Sequence, residues 1–453
     1  MLSFDPGWNQ YSVGSGVNYD AGAIIVPSNE ALDFWWNHDG KVLQDMYKTW
    51  DNVPMTVLVK LMNIGMVNSF SETVPSKFQN IVDNTTKVSL GVQKADIDSC
   101  FMGCNGVVYL SNKVFTPADY SSVSFPALVN EQTMNIIYWA ISNLNFEPYL
   151  NSMDSYSKGK DIKELDNDAM LTYVDPCSYG TSTQKLYKFY YDYEAKTVKA
   201  KIYRYDLSTN TIIDEKEMGT ATSTMITNRL TDLLNNLIVI GNVEDGKTYY
   251  KTKAGSYLKV ANSGKEGVMT VSGGLQVEQG SSVPVQTIYD QTVSGNGKSY
   301  IMDTAMPLTS RRSTYSILSN NEEYAKFFTL MRNSDLFTQK LSAKYTCADY
   351  NIKLFDAYNY TIYVPTNESI EKLHEQGLLP YWTDVEELTA DYFGGDANLL
   401  KSAQKLLTDR INNFLRYHIQ DNSVIIGGLD NSEVKYETFK INNANKRFFS
   451  LTV

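Results

Sequence analysis

One strand-to-helix corner occurs twice in this chain, and it constrains the fold more than any other feature. Residues 22–32 read Gly-Ala-Ile-Ile-Val-Pro-Ser-Asn-Glu-Ala-Leu, and residues 360–370 read Tyr-Thr-Ile-Tyr-Val-Pro-Thr-Asn-Glu-Ser-Ile. In each copy a β-rich run ends at Pro27 or Pro365, which has no amide to give to a ladder and so terminates pairing. Ser28 or Thr366 then offers a hydroxyl as helix N-cap. Glu30 or Glu368 follows in the first helical turn, where a carboxylate meets the positive end of the helix dipole.

A second pattern also recurs. Residues 105–117 run from Asn-Gly through Val-Val-Tyr-Leu to Pro117, and residues 296–307 run from Asn-Gly through Lys-Ser-Tyr-Ile to Pro307. Asn-Gly is the strongest tight-turn dipeptide, so each segment is expected to leave a turn, form a strand and close at proline. The copies differ in length by one residue, which a β-bulge accommodates.

The Val-Pro-Thr-Asn-Glu corner followed by an Asn-Gly strand that ends at proline resembles the two signature blocks of the fasciclin domain. Between those blocks the family carries an apolar helix ending in Tyr-His, which Phe414-Leu415-Arg416-Tyr417-His418-Ile419 matches. The resemblance implies an α+β fold of repeated fasciclin-like modules, each a wedge-shaped β-sandwich with packed helices.

Three modules are expected. The first, residues 1–128, has the Pro27 corner, an apolar helix around residues 55–62 and the strand 105–117, without the helices that precede the corner in the family. The second, residues 131–309, opens with an apolar helix at Ile136 and closes with the strand 296–307. Its corner is expected at Leu171-Thr172-Tyr173-Val174-Asp175-Pro176, and residues 183–217 are expected to be an inserted strand pair. The third, residues 313–453, opens with a helix placing Tyr324, Phe327, Phe328 and Met331 on one face. It carries the Pro365 corner and stops before a closing strand. Open module fronts and backs would expose strand edges, so the chain reads as an internal stretch of a longer polypeptide.

Composition narrows the function classes. At roughly 100–200 residues per domain, 453 residues also suggest about three domains. A formal net charge of −11 gives no counterion-release affinity for nucleic acid and no attraction to anionic lipid. No apolar run approaches the roughly 20 residues that span a bilayer. The four cysteines, Cys100, Cys104, Cys177 and Cys347, are too few for a stapled scaffold. They read as buried thiols, with a Cys100–Cys104 bridge as the alternative.

The chemical inventory is sparse. His38, His374 and His418 are the only histidines, and none stands at a recognised metal-ligand spacing. No Gly-x-Ser-x-Gly nucleophile elbow occurs. Residues 294–299 lack the phosphate-loop spacing and precede a strand, so they read as a turn. The acidic stretch from Asp161 to Asp168 has no calcium-loop pattern and reads as a solvated loop. The chain is therefore expected to be no enzyme and to need no cofactor or metal.

Aromatic residues supply the candidate binding groups. Alternation in Tyr187-Lys188-Phe189-Tyr190-Tyr191-Asp192-Tyr193 puts Tyr187, Phe189, Tyr191 and Tyr193 on one strand face, and the return strand adds Tyr203 and Tyr205. Exposed tyrosines could stack on sugars or grip a protein, while buried ones would be cross-strand pairs over a core. Tyr417 and His418 are the other candidates, as part of an adhesive face or as local packing. The Tyr- and Asn-rich style resembles surface lipoproteins of gut Bacteroidetes. That resemblance implies a cell-surface, outer-membrane or extracellular location, with a lipid anchor outside the given chain. The expected function is non-catalytic adhesion or ligand binding, with another surface protein or an extracellular glycan as partner. The alternative is an accessory lipoprotein of an outer-membrane transporter for glycan or peptide.

Overall fold

The computed structural model describes residues 22–67, 69–83, 88–103, 106–130, 133–151, 160–165, 171–174, 184–206, 209, 211–214, 216–292, 295–302, 308, 314–338, 351–352, 360–425 and 433–453. The fold is α+β, with several small sheets and helices between them. It divides into two compact units, each discontinuous in sequence. One comprises Met1–Ala169, Ile238–Asn242 and Val285–Thr304, and the other comprises Met170–Leu237, Val243–Pro284 and Ala305–Val453.

In the first unit, the strand Gly22–Pro27 lies between Met66–Val67 and Gly106–Ser111, with Ile97–Met102 outermost. It runs parallel to Gly106–Ser111, from Gly22 opposite Gly106 to Pro27 opposite Ser111, and antiparallel to Met66–Val67. Alternation puts Ala23 and Ile25 in the core and Val26 outside. Pro27 ends the strand, and the Ser28 hydroxyl caps the helix Asn29–Asn37 by accepting from the Ala31 amide at 3.1 Å.

The same unit repeats this arrangement with other residues. Lys160–Leu165 lies between Ile238–Ile240 and Gly297–Met302, and Val285–Gln291 pairs beyond the latter. Directions and register agree with the first set. When Gly22 is placed on Lys160, Ile24 falls on Ile162, Met66 on Ile238 and Gly106 on Gly297. Tyr109 then falls on Tyr300, and both are buried. In each set a helix leads directly toward the short antiparallel strand: Met55–Asn63 before Met66, and Ser223–Leu237 before Ile238.

This pairing corrects two expectations. Leu171–Val174 does not pair with Gly297–Met302 as the Pro27 strand pairs with Gly106–Ser111, because it joins Lys185–Asp192 in a different sheet; Asp175 and Pro176 lie outside the described residues. The acidic stretch is not a loop through its first half, since Lys160–Leu165 is a strand with a partner on each side. Pairing of this kind is long-range, and no local likeness to Val-Pro-Ser-Asn-Glu marks Lys160–Leu165.

In the second unit, Tyr360–Ile362 pairs antiparallel with Ile419–Asp421, Ile362 opposite Ile419. With Pro365 on Pro27, Ile362 falls on Ile24 and Ile419 on Met66. The cap recurs: Thr366 has φ −65° and ψ 157°, against φ −65° and ψ 163° at Ser28. The Thr366 hydroxyl accepts from the Ser369 amide at 3.3 Å. The helix Ala397–Tyr417 leads into Ile419–Asp421, and Lys435–Ile441 and Phe448–Thr452 extend that sheet. Phe327 and Met331 bury one helical face against Ile370, Ile411, Leu415 and Ile419, with Tyr324 and Phe328 packed at the margin.

The 183–217 segment is more than a strand pair. Lys185–Asp192 and Thr197–Asp206 form a hairpin, extended by Leu171–Val174, Gly219–Thr220 and Thr211–Ile212 into a five-stranded sheet. Cys100 is a free thiol and exposed, not buried, because it stands on the outermost strand of its sheet. Cys104, Cys177 and Cys347 lie outside the described residues.

Candidate functional site

The helix Ala397–Tyr417 starts where the Asp396 carboxylate accepts from the amides of Asn398 and Leu399 at 2.8 and 3.2 Å. Ile411 and Leu415, four residues apart, share the buried stripe. The other side carries Leu406, Asp409, Arg410, Asn413 and Tyr417 at helical spacing. With Phe414 and Lys440 they line a concavity of about 440 Å³.

Lys440 comes from the strand Lys435–Ile441. Its ammonium sits 5.5 Å from the Tyr417 ring centroid and 4.7 Å from that of Phe449, and the two rings meet edge to face at 6.5 Å. Asp409 pairs with Lys405 at 2.6 Å, and Arg410 donates to the Gly377 carbonyl at 3.1 Å. Tyr417 keeps 37% of its surface exposed. A half-exposed tyrosine ring with a cation over it, beside a carboxylate and an amide, offers a polar ligand hydrogen-bonding groups and one apolar contact.

His418 does a different job from its neighbour. Its Nδ1 donates to the Phe414 carbonyl at 2.8 Å, and its ring lies 4.2 Å from Phe414 and 6.0 Å from Phe327. Burial lowers its pKa, and the bond to Phe414 offsets this only in part. The residue closes the helix, and its carbonyl receives the Tyr363 amide at 2.9 Å. Adjacent residues at a helix end point in different directions, so the Tyr-His pair splits into one surface group and one packing group.

The hairpin tyrosines also separate. Tyr187 is 1% exposed and Tyr205 4%. Tyr187 faces Ile202 and Tyr191 faces Val198, whereas Tyr203 faces Leu186. Cross-strand partners share a face, so Tyr203 and Tyr205 lie on the side opposite Tyr187 and Tyr191. The six candidates thus form no single patch. Tyr187 stacks toward Phe189 at 6.4 Å and carries the Arg229 guanidinium 5.8 Å from its ring, while Tyr205 packs with Leu186 and Ile212. Tyr191 and Tyr203 are half-buried. Tyr193, 68% exposed, meets Tyr191 edge to face at 5.1 Å.

A buried charged cluster in the first unit has no sequence motif. Lys60 is paired with the carboxylates of Asp119 and Glu147, the latter at 2.8 Å. Asn151 donates to Asp119, Ser122 and Ser124 donate to Asn151, and Ser142 donates to Glu147 at 2.8 Å. Burial pushes the Asp119 carboxyl up to about 6, although Lys60 opposes the shift. Burial alone would lower the pKa of Lys60, but Asp119 and Glu147 more than reverse that and hold it above its ordinary value. With every carboxylate facing hydroxyl, amide or ammonium donors, the cluster ties helix Met55–Asn63 to the segments around 119 and 147.

Of the residues lining this concavity, Tyr417 alone was a candidate from the sequence; Leu406, Asp409, Arg410, Asn413 and Lys440 were not. The helical spacing of 406, 410, 413 and 417 was available as a signal. Lys440 had none, because only the sheet brings its strand to the helix.

Among the described residues, no group of three or more His, Cys, Asp or Glu side chains could hold a metal ion. Among the same residues, no helix is long and apolar enough to cross a membrane. No protein-family model matches the chain, and no curated protein matches it.

Proposed function

We propose that this chain is a non-catalytic cell-surface adhesion or ligand-binding protein assembled from repeated fasciclin-like modules. The observation that carries the modular reading is the common register: the strands beginning at Gly22, Lys160 and Tyr360 take the same antiparallel partner position after a helix. The Pro27 and Pro365 corners add matching caps. A scaffold repeated in this way leaves recognition to groups that the copies do not share. Tyr417 is a frame position whose side chain differs between copies, since it stands half-exposed where the first corner has the buried Ile64; with Lys440 beside it, a glycan or a surface protein is the partner class it suits. The surface location follows from the resemblance to surface lipoproteins.

Two measurements test this reading. Protease treatment of intact cells should remove the protein, and protection equal to that of a cytoplasmic marker would overturn the surface location. On a glycan array and against extracellular protein fractions, Tyr417→Ala and Lys440→Ala should each weaken binding about tenfold. Both sites are partly exposed, so melting temperatures should hold. Binding that ignores both substitutions would place the ligand elsewhere.

A further inference from the structure

The second unit shows what the corner and the helix before its partner strand do together: they hold another helix. Ala325–Arg332 lays Phe327, Leu330 and Met331 onto Ile370, Ile411 and Leu415, all fully buried or nearly so. Three polar contacts from two residues fix its pose. Asn367 accepts from the Lys326 amide at 3.0 Å and donates to the Glu322 carbonyl at 2.7 Å. Glu371 pairs with the Lys326 ammonium at 2.8 Å.

By the register already described, the corresponding residues of the first corner are Leu32 for Ile370, Leu58 for Ile411, Met62 for Leu415, Asn29 for Asn367 and Asp33 for Glu371. Those five residues, with Leu61, line one apolar groove of about 610 Å³. Met62 is 55% exposed where its counterpart Leu415 is buried, and Leu32 and Leu58 are half-buried. The clamp asparagine and the carboxylate are both present and face the groove, while no described helix lies in it.

We propose that this groove binds an amphipathic α-helix of a partner protein, in the pose that Ala325–Arg332 takes on the second corner. The occupant is identified by charge complementarity and spacing. It carries a Lys or Arg for Asp33, followed at the next, fourth and fifth positions by large apolar side chains for Leu32, Leu58, Leu61 and Met62. Its first-turn amide is received by Asn29, which meets the need of a helix start for acceptors. An amphipathic helix in a groove is a recurring recognition mode with anchors at these spacings. The proposal is independent of the Tyr417 surface and does not rest on it.

The test uses the full chain and a fluorescent synthetic peptide of residues 318–334, read by fluorescence anisotropy. Saturable one-to-one binding is expected. Met62→Lys and Asp33→Lys, both at exposed positions, should each weaken it about tenfold or more. A peptide with Lys326→Glu should bind poorly to the unchanged chain and regain affinity for Asp33→Lys, an exchange that misfolding could not mimic. Three results would overturn the proposal. One is the absence of saturable binding, or binding indifferent to both variants. Another is binding only after residues 1–21 are removed, which would make that segment the occupant. The third is a dimer of the chain alone that Met62→Lys dissociates, which would assign the groove to a second copy.

Discussion

The amide of Tyr363 donates to the carbonyl of His418 at 2.9 Å, and in the first corner Ile25 makes the same bond to Gly65 at 2.8 Å. In both places the bond joins the strand before the corner to the end of the helix-to-strand turn. The side chains at the two acceptors, imidazole and hydrogen, share nothing. Backbone pairing is what recurs, and it sets the expectations below.

The caps should be energetically alike. Ser28→Ala and Thr366→Ala each remove a hydroxyl that accepts a helix amide. Each should destabilise the chain by about 1 kcal/mol in urea unfolding. A loss at one site with none at the other would show that the two corners are not energetically equivalent.

Removing the cation from the buried cluster should cost far more. Lys60→Met leaves Asp119 and Glu147 inside without their partner, and an uncompensated buried charge costs about 3–5 kcal/mol. Changing all three to apolar residues of similar size should recover most of that loss, which chemical denaturation of both variants checks.

The pH dependence around this cluster has a definite sign. The folded-state pKa of Asp119, about 6, lies above the value of an unfolded chain, so the folded form holds its proton longer. The resulting contribution is fully present below about pH 4 and is lost as pH rises through about 6. His418 works the other way: its pKa is lowered, so its contribution is present above about 6.5 and is lost as pH falls. Asp119→Asn should remove the first dependence alone. Unfolding free energies of the two proteins between pH 4 and 7 should then diverge by roughly 2–3 kcal/mol, and parallel curves would contradict the assignment.

Two tyrosines of one strand run should respond oppositely to truncation. Tyr187 is buried against Phe189 and Arg229, so Tyr187→Ala should lose about 3–5 kcal/mol. Tyr193→Ala, at an exposed position, should stay within about 0.5 kcal/mol. Thermal melts of both variants distinguish an interior sheet face from a contact surface.

The features legible along the chain are local. Proline cannot pair, a hydroxyl after it caps a helix, and Asn-Gly turns the chain, so the corners at Pro27 and Pro365 and the strands at Gly106 and Gly297 were legible as text. The apolar helices at Met55–Asn63 and Ala325–Arg332 followed from spacing in the same way, and the α+β class from the family resemblance that the corners and strands carry. The tertiary structure decided everything that depends on distant partners. It made Lys160–Leu165 a strand despite its charged side chains, because Ile238–Ile240 and Gly297–Met302 flank it. It buried Tyr187 while leaving Tyr193 in solvent, since alternation assigns a face but not what covers that face. It carried Lys440 to Tyr417 and left Met62 open where Leu415 is covered. Period and propensity act over a few residues, whereas burial is a property of the neighbours that long-range pairing supplies.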